Sequence, residues 1–152
     1  MREAFITNVL MPTDFSSCSQ AAFPYACLLA GQAQAKLHLL HVIEPPTPAL
    51  LPDGAFVPPM LDSQEDVAEV KAELHRWLRG EHAANLSSEA DVRVGTPLIE
   101  ILSFAEERSC DLIVMGTHGR TGVAHLLIGS VAENIVRKAK CPVLTVPERP
   151  SK

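Results

Sequence analysis

The stretch DLIVMGTHGRTGVAHLLIGSVAENIVRKA, residues 111–139, decides the fold. An apolar run comes first, then a segment with four of the chain's eight glycines, and then apolar residues at helical spacing. This order predicts a buried strand, a loop at its carboxyl end and a helix. Glycines in such a loop let a phosphate approach the backbone amides, and they tolerate the positive φ that turns several N–H groups toward one point. The segment therefore favours a phosphate-binding loop over the simpler interpretation that these glycines only form turns, although composition does not identify the ligand.

The same alternation of strand and helix extends along the whole chain. Residues 5–11, FITNVLM, predict a strand cut short by Pro12 and followed by a helix, and residues 36–42, KLHLLHV, predict a second strand. Six further elements follow: a helix from Asp62 to Gly80 or Asn85, a strand at 89–95, a helix from Pro97 with Thr96 as its N-cap, a strand at 111–116, a helix at 130–140 and a strand at 141–147. The order predicts an α/β protein with a Rossmann-like open five-stranded parallel sheet and helices on both faces.

Length and charge narrow the class of protein. A chain of 152 residues is expected to form a single domain, residues 1–152. The formal net charge is −5 and the basic residues are scattered, which argues against a nucleic-acid partner. No stretch has the length and polarity of a signal peptide or a membrane span. The four cysteines form no C-x-x-C pair, so we expect reduced thiols and a cytoplasmic protein.

One segment stands apart from this alternation. Residues 44–59, EPPTPALLPDGAFVPP, contain six of the twelve prolines, and we expect a long surface loop without regular structure at about 44–61. Its apolar residues could fold over a ligand as a lid or face a partner protein, and composition does not separate these roles.

The sequence offers no recognisable catalytic or metal site. His38 and His41 are three residues apart on a predicted strand, so they point to opposite faces and make a poor metal pair. Structural roles are the better interpretation for both. No Ser, His and Asp set and no pair of carboxylates predicts hydrolytic chemistry.

The spacing of the glycines points to a known family. G-x-x-G, nine residues and then G-[ST] is met at Gly116, Gly119, Gly129 and Ser130, and it is neither a Walker loop nor a G-x-G-x-x-G motif. With VLMPTDFS at residues 9–16 and CPVLTVP at 141–147, the chain resembles the universal stress proteins, in their ATP-binding branch. The resemblance covers nearly the whole chain and implies a sheet of the adenine nucleotide alpha hydrolase-like kind.

The resemblance implies that an adenine nucleotide, ATP together with Mg²⁺, lies across the carboxyl edge of the sheet. The implied nucleotide-binding residues are Pro12, Thr13, Asp14, Val42, Met115, Gly116, His118, Gly119, Arg120, Gly129, Ser130 and Val131. Among them Asp14 would meet the ribose or base edge and the backbone of Val42 would read the adenine. Gly119, Gly129, Ser130 and Val131 would bind the phosphates through amides and a hydroxyl. His118 and Arg120 would also lie near the phosphates.

The residues alone leave simpler roles open. Asp14 could cap the first helix, with or without a ribose contact. Ser130 and Glu133 have the spacing of a capping box, which would explain both residues without a ligand. Glu133 would also repel an anionic ligand unless Mg²⁺ intervened.

The implied function is a nucleotide-responsive module in stress adaptation or signalling, at most a slow ATPase, without catalytic residues of its own. The resemblance also implies a homodimer built on the C-terminal strand. One alternative is a dimeric interaction module that binds no nucleotide and docks an unidentified protein partner through its Pro-rich segment. The other, an adenylyl-transferring enzyme, would need an H-x-G-H type motif where the chain has PTDFSS, residues 12–17.

Overall fold

The computed structural model describes residues 5–46, 48–57, 63–118 and 128–148. In chain order the elements are β1 (Asn8–Pro12), α1 (Ser17–Ala33), β2 (Lys36–Ile43), β3 (Ala49–Leu50), β4 (Phe56–Val57), α2 (Ser63–Leu78), a 3-10 helix (Glu81–Ala83), β5 (Ser88–Val94), α3 (Pro97–Glu107), β6 (Leu112–Gly116), α4 (Ser130–Lys138) and β7 (Val143–Val146). Five of the strands form one parallel sheet in the order β5-β2-β1-β6-β7. The predicted Rossmann-like α/β fold is confirmed.

The helices cover the sheet on both faces. Helices α1 and α2 enclose one core layer, which includes Val9, Met11, Phe23, Leu37, Leu74 and Val114. Helices α3 and α4 enclose the other, which includes Leu10, Leu40, Ile101, Phe104, Ile113 and Ile135. Successive residues of the central strands point to opposite faces and both faces are buried, so apolar residues follow one another along these strands with few interruptions. None of the helices within the described ranges is long and apolar enough to cross a membrane.

The strand order fixes where a ligand can enter. From β1 the chain moves outward to β2 and β5 on one side, and then crosses back to β6 and β7 on the other. The order therefore reverses between β1 and β6. In open α/β sheets the crevice for a ligand lies beyond the carboxyl ends of the strands at this reversal.

The Pro-rich segment contains a hairpin, so the prediction of a loop without regular structure was wrong. Strands β3 and β4 pair antiparallel, with Leu50 opposite Phe56. Asp53 accepts a hydrogen bond from the amide of Ala55 at 3.0 Å, and Gly54 takes a φ of +80° that suits glycine. The prolines of this segment flank the two short strands and none lies inside them, so every residue of β3 and β4 keeps its amide hydrogen.

The start of β1 also differs from the prediction. The strand begins at Asn8 and includes Pro12, whereas residues 5–11 were expected. Asp111, just before β6, accepts hydrogen bonds through Oδ2 from the amides of Thr7 and Asn8 and from the hydroxyl of Thr7, at 2.8 to 3.0 Å. One carboxylate thus satisfies the backbone where the strand begins.

We expect the Asp111 carboxylate to make folding stability depend on acid. Burial raises its pKa, but the hydrogen bonds from Thr7 and Asn8 outweigh this and hold the pKa below the ordinary value of 3.8. The contribution of Asp111 to folding stability is therefore complete above the ordinary pKa. It is lost as the pH falls through the lower pKa of the folded state. At pH 7, Asp111→Ala should lower the free energy of unfolding by about 1–3 kcal/mol, because three hydrogen bonds from the exposed Thr7 and the partly buried Asn8 to a charged carboxylate are lost.

Urea unfolding of wild type and Asp111→Ala at pH 7 and below pH 4 measures this effect. The difference between the two proteins should shrink in acid. Glu69→Ala, which removes an exposed carboxylate from α2, is the control and should show no such change. If the difference in unfolding free energy between wild type and Asp111→Ala does not change with pH, Asp111 does not have a lowered pKa in the folded protein.

Candidate functional site

A cleft of about 550 Å³ lies beyond the carboxyl ends of β1, β2 and β6, at the reversal of strand order. Its volume is in the range typical of small-molecule sites. Ten of the twelve predicted site residues line it: Pro12, Thr13, Asp14, Val42, Met115, Gly116, His118, Gly129, Ser130 and Val131. The other two, Gly119 and Arg120, lie outside the described residues.

The turn between β1 and α1 forms one wall of the cleft. Asp14 Oδ1 accepts hydrogen bonds from the amide of Ser16 at 3.0 Å and from the hydroxyl of Ser19 at 2.8 Å. The N-cap of α1 is Ser16, whose side chain accepts from the amide of Ser19. The interpretation of Asp14 as the cap was therefore wrong, because its carboxylate holds the turn before the helix.

A strained residue sits inside this turn. Phe15 has a φ of +62°, a left-handed conformation that an aromatic residue rarely adopts. Its amide donates to Thr13 Oγ1 at 3.0 Å, and its ring lies 4.8 Å from that of His41 and 5.8 Å from that of Trp77. His41 in turn donates from Nδ1 to the carbonyl of Thr13 at 2.7 Å. These contacts hold the turn in one shape beside the cleft, and strain of this kind is concentrated at functional sites.

Gly116, at the end of β6, serves the packing of a helix. A Cβ built on it would lie 2.8 Å from the backbone carbonyl carbon of Cys18 and 2.9 Å from the oxygen and Cβ of that residue. Neither Gly116 nor Gly129 has a positive φ, so the expectation of left-handed glycines does not hold at these two positions. The absent side chain of Gly116 lets the first turn of α1 approach the end of β6.

The first turn of α4 lines the cleft. Gly129 is the N-cap, with φ −58° and ψ 153°, and Ser130 is the first helical residue. No side chain within the described ranges caps this end of the helix. The amides of the first turn and the positive end of the helix dipole are therefore available to an anion.

The capping box that the spacing of Ser130 and Glu133 left open does not form, because the N-cap is Gly129 and Ser130 lies one position too late. Glu133 donates its amide to the carbonyl of Gly129, and its carboxylate accepts from Arg137 at 2.9 Å. Glu133 does not line the cleft. The expected repulsion between Glu133 and an anionic ligand is accordingly reduced.

His118 follows β6 at the same end of the cleft. Its Nδ1 lies 2.9 Å from the hydroxyl of Thr117. Its Nε2 is buried and has no hydrogen-bond partner among the described residues. When the Thr117 hydroxyl donates to Nδ1, Nε2 carries the ring hydrogen and can donate to a ligand.

Sequence reasoning missed four polar residues that line the cleft: Ser19, His41, Glu44 and Thr117. Glu44 and Thr117 directly follow the ends of β2 and β6. Ligands bind beyond the carboxyl ends of parallel strands, and this rule, applied to β2 and β6, could have found both residues. No local signal marks Ser19, which reaches the site through its hydrogen bond with Asp14. His41 was interpreted as structural, and its bond to Thr13 agrees with that role.

The fold and the cleft define an α/β protein with a ligand site at the switch point of a parallel sheet. The family model described as "Universal stress protein family" matches residues 6–147. The chain belongs to the universal stress protein family.

Individual relatives extend over nearly the whole chain. Universal stress protein MJ0531 of Methanocaldococcus jannaschii is 33% identical over 99% of this chain and 86% of its own length. Universal stress protein MJ0577 of the same organism is 30% identical, and its solved structure matches with a TM-score of 0.76 over 97% of this chain and 99% of that one. A solved universal stress protein in complex with cAMP is 26% identical, with a TM-score of 0.68 over 95% of this chain and 98% of that one.

Proposed function

We propose that the cleft binds an adenine nucleotide, ATP together with Mg²⁺, and that the protein is a nucleotide-responsive module in stress adaptation. The observation that carries the proposal is the uncapped first turn of α4, which faces a cleft at the switch point of the sheet. A relative of the same fold is described in complex with cAMP, which is also an adenine nucleotide.

The phosphates would lie against α4. The amides of Ser130 and Val131, the Ser130 hydroxyl and Nε2 of His118 are the donors that the described part of this end offers. No lysine or arginine is among the described residues that line the cleft, so these donors and the helix dipole would carry the phosphate charge there. Gly119 and Arg120 are proposed to add an amide and a cation on the basis of their sequence positions.

The backbone of β2 supports adenine recognition. The carbonyl of Leu40 accepts from the amide of Thr13 and so points toward β1, while Gly95 donates to the carbonyl of Ile43 on the β5 side. Along a strand, the N–H and C=O groups of successive residues point alternately to one neighbouring strand and to the other. Val42, two residues after Leu40, therefore points its N–H and C=O to the β1 side. The ladder with β1 ends at Leu40, and Val42 lies beyond it in the cleft. One donor and one acceptor side by side match N1 and N6 of adenine.

Between the two ends, Asp14 is proposed to meet the ribose. Its carboxylate is held by Ser16 and Ser19, which fixes its position relative to Val42 and α4. Mg²⁺ is proposed to arrive with the phosphates, because the described cleft contains no cluster of three potential metal ligands. We propose nucleotide binding as the role of this site, with slow hydrolysis as the most that it would catalyse.

The test is a calorimetric titration of the nucleotide-free chain with ATP and Mg²⁺, repeated with Ser130→Pro. Proline is tolerated at the first helical position, and Gly129 already has the extended ψ that precedes proline well. The variant loses one amide hydrogen and one hydroxyl at the phosphate end. We expect binding near one ATP per chain and a loss of affinity of about tenfold or more in the variant, because a hydrogen bond to a charged group contributes about 1.5–3 kcal/mol.

The matched control is Ser17→Pro, the same exchange at the first position of α1. Ser17 is exposed and does not line the cleft, so this variant should bind ATP like the wild type. If Ser130→Pro and Ser17→Pro bind ATP with equal affinity, the phosphates do not contact the first turn of α4. No saturable binding at millimolar ATP would leave the interaction module as the function, and the exposed hairpin side chains Leu50 and Phe56 would then be its docking residues.

We also propose that two copies pair through β7. Strands β5 and β7 are the two edges of the sheet. Strand β5 carries Glu89, Asp91 and Arg93, and charged side chains protect an edge from pairing. Strand β7, VLTV, has no charge and exposes Leu144. Sedimentation showing only a 16.4 kDa species at micromolar protein would exclude this dimer.

The cysteines support a reducing compartment, and we propose the cytoplasm for this protein. All four are free thiols. Burial raises the pKa of Cys27 to about 11 and is the main cause that raises that of Cys110 to about 12, so both remain protonated and unreactive. Recovery of the protein outside the cytoplasmic fraction of its cells would contradict this location.

A further inference from the structure

Three titratable side chains meet near the amino end of β2, away from the nucleotide cleft. His38 lies on β2, and Glu89 and Asp91 lie on the neighbouring strand β5. One potential ligand atom from each lies within 4.8 Å of the other two. His38 packs edge to face against Phe104 of α3, with 5.6 Å between ring centroids, which places the cluster on the α3 side of the sheet.

A chain of hydrogen bonds fixes the hydrogen on one nitrogen of His38. The Thr7 hydroxyl donates to Asp111, and the Thr7 oxygen accepts from Asn8 Nδ2 at 3.2 Å. This orientation directs Asn8 Oδ1 at Nε2 of His38, 3.2 Å away. An amide oxygen can only accept, so Nε2 carries the hydrogen, and Nδ1 of the neutral ring carries a lone pair.

That lone pair faces another acceptor. Nδ1 of His38 lies 3.7 Å from Asp91 Oδ2, and both atoms are buried without a hydrogen-bond partner in the described part of the chain. The His38 side chain is only 2% exposed. Two buried acceptors that face each other are expected to share a cation.

We propose that His38, Glu89 and Asp91 bind a divalent transition-metal ion of the zinc type. One imidazole nitrogen and two carboxylates suit Zn²⁺ and its neighbours, whereas Mg²⁺ and Ca²⁺ prefer oxygen ligands alone. The bond from Nε2 to Asn8 is the outer hydrogen bond that orients a metal-binding histidine. This inference is independent of the nucleotide proposal.

Two cations border the cluster and would compete with the metal. Lys36 forms an ion pair with Glu89. Arg108 lies 3.8 Å from Glu89 and 3.6 Å from Asp91. Both side chains are about two-fifths exposed, at 40% and 42%, and both are long and flexible, so they can turn toward solvent when a dication binds.

The experiment is a calorimetric titration of the untagged, nucleotide-free full chain with Zn²⁺, followed by absorption spectroscopy with Co²⁺. We expect one ion per chain, a cobalt spectrum without a sulfur charge-transfer band, and a thermal midpoint that rises with Zn²⁺. Asp91→Asn, which keeps the shape of the side chain, and His38→Gln should each weaken binding at least tenfold. Lys36→Gln should strengthen it several-fold by freeing Glu89.

The control is His75→Gln, which removes an exposed histidine from α2 and should leave Zn²⁺ binding unchanged. Thermal melts without metal check that each variant folds. If His38→Gln does not fold, the result for Asp91→Asn decides whether the proposal holds. The proposal is overturned by wild type that binds no Zn²⁺ in a saturable way, or by binding that survives Asp91→Asn. A cobalt–sulfur band, or an affinity that Lys36→Gln leaves unchanged, would likewise contradict this ligand set.

Discussion

Replacing Gly116 with valine is expected to remove about 3 kcal/mol or more of folding free energy. The new Cβ would lie 2.8 Å from the carbonyl carbon of Cys18, so it meets helix backbone that no rotamer change can move. Cys18 is only 5% exposed in the first turn of α1, and the helix would have to shift off β6. Overpacking typically costs about 1–3 kcal/mol and more where backbone must move. The midpoint of urea unfolding measures the loss.

Gly31→Ala is the matched control, because it also adds a Cβ to a tightly packed glycine. There the nearest atom is Leu86 Cδ2 at 3.2 Å, the end of a flexible side chain. Gly31 lies inside α1, where alanine gains up to about 1 kcal/mol of helix propensity. We expect this variant to stay within about 1 kcal/mol of wild type. If Gly116→Val proved equally mild, the close contact with Cys18 would not be the reason for glycine at this position.

Ser130→Glu is expected to reduce ATP affinity at least a hundredfold while the protein stays as stable as wild type or becomes more so. A carboxylate in the first turn of α4 interacts favourably with the helix dipole, typically by about 0.3–1 kcal/mol. The same carboxylate would occupy the place proposed for the phosphates, and like charges in contact cost several kcal/mol. Stability and binding therefore change independently in this variant.

Calorimetry with ATP and Mg²⁺, beside thermal melts of the nucleotide-free proteins, separates the two effects. Ser17→Glu makes the same change in the first turn of α1, outside the cleft, and should keep the wild-type affinity. If Ser130→Glu binds ATP as well as Ser17→Glu does, the phosphates do not meet α4. A Ser130→Glu protein that unfolds would contradict the position of Ser130 at the start of the helix.

The five strands of the main sheet and the four α-helices were predictable because each leaves a local pattern, whereas the hairpin of β3 and β4 was not predicted. Strands β1, β2 and β6 are buried on both faces and are therefore rich in apolar residues, although His38 and His41 interrupt the run of β2. The strand order also predicted that the turn after β1 and the loop after β6 lie at one edge of the sheet. The individual binding residues were implied by the family resemblance. Asp14, His118 and Ser130 thus meet in one cleft although they are far apart in the sequence.

What each residue does there could not be predicted, because it depends on distances between elements. The glycine of the loop motif at Gly116 packs against Cys18, and Asp14 holds the turn before α1 and does not cap the helix, a role that the sequence had left open. The grouping of His38 with Asp91 depends on the register between β2 and β5, which the spacing of residues within one strand does not reveal. For the same reason His38 was compared only with His41.

The position of Val42 beyond the end of the β1 ladder has a consequence for how such a site can be mapped. If adenine is read by the peptide groups of this residue, the recognising atoms are present whatever side chain stands there. Alanine scanning would pass over them, and Val42→Ala would report only on packing. Exchange of the amide for an ester would remove the donor itself. A binding site formed by backbone groups can therefore keep its specificity when its side chains are substituted. Only substitutions that bend the strand or block access to it would abolish that specificity.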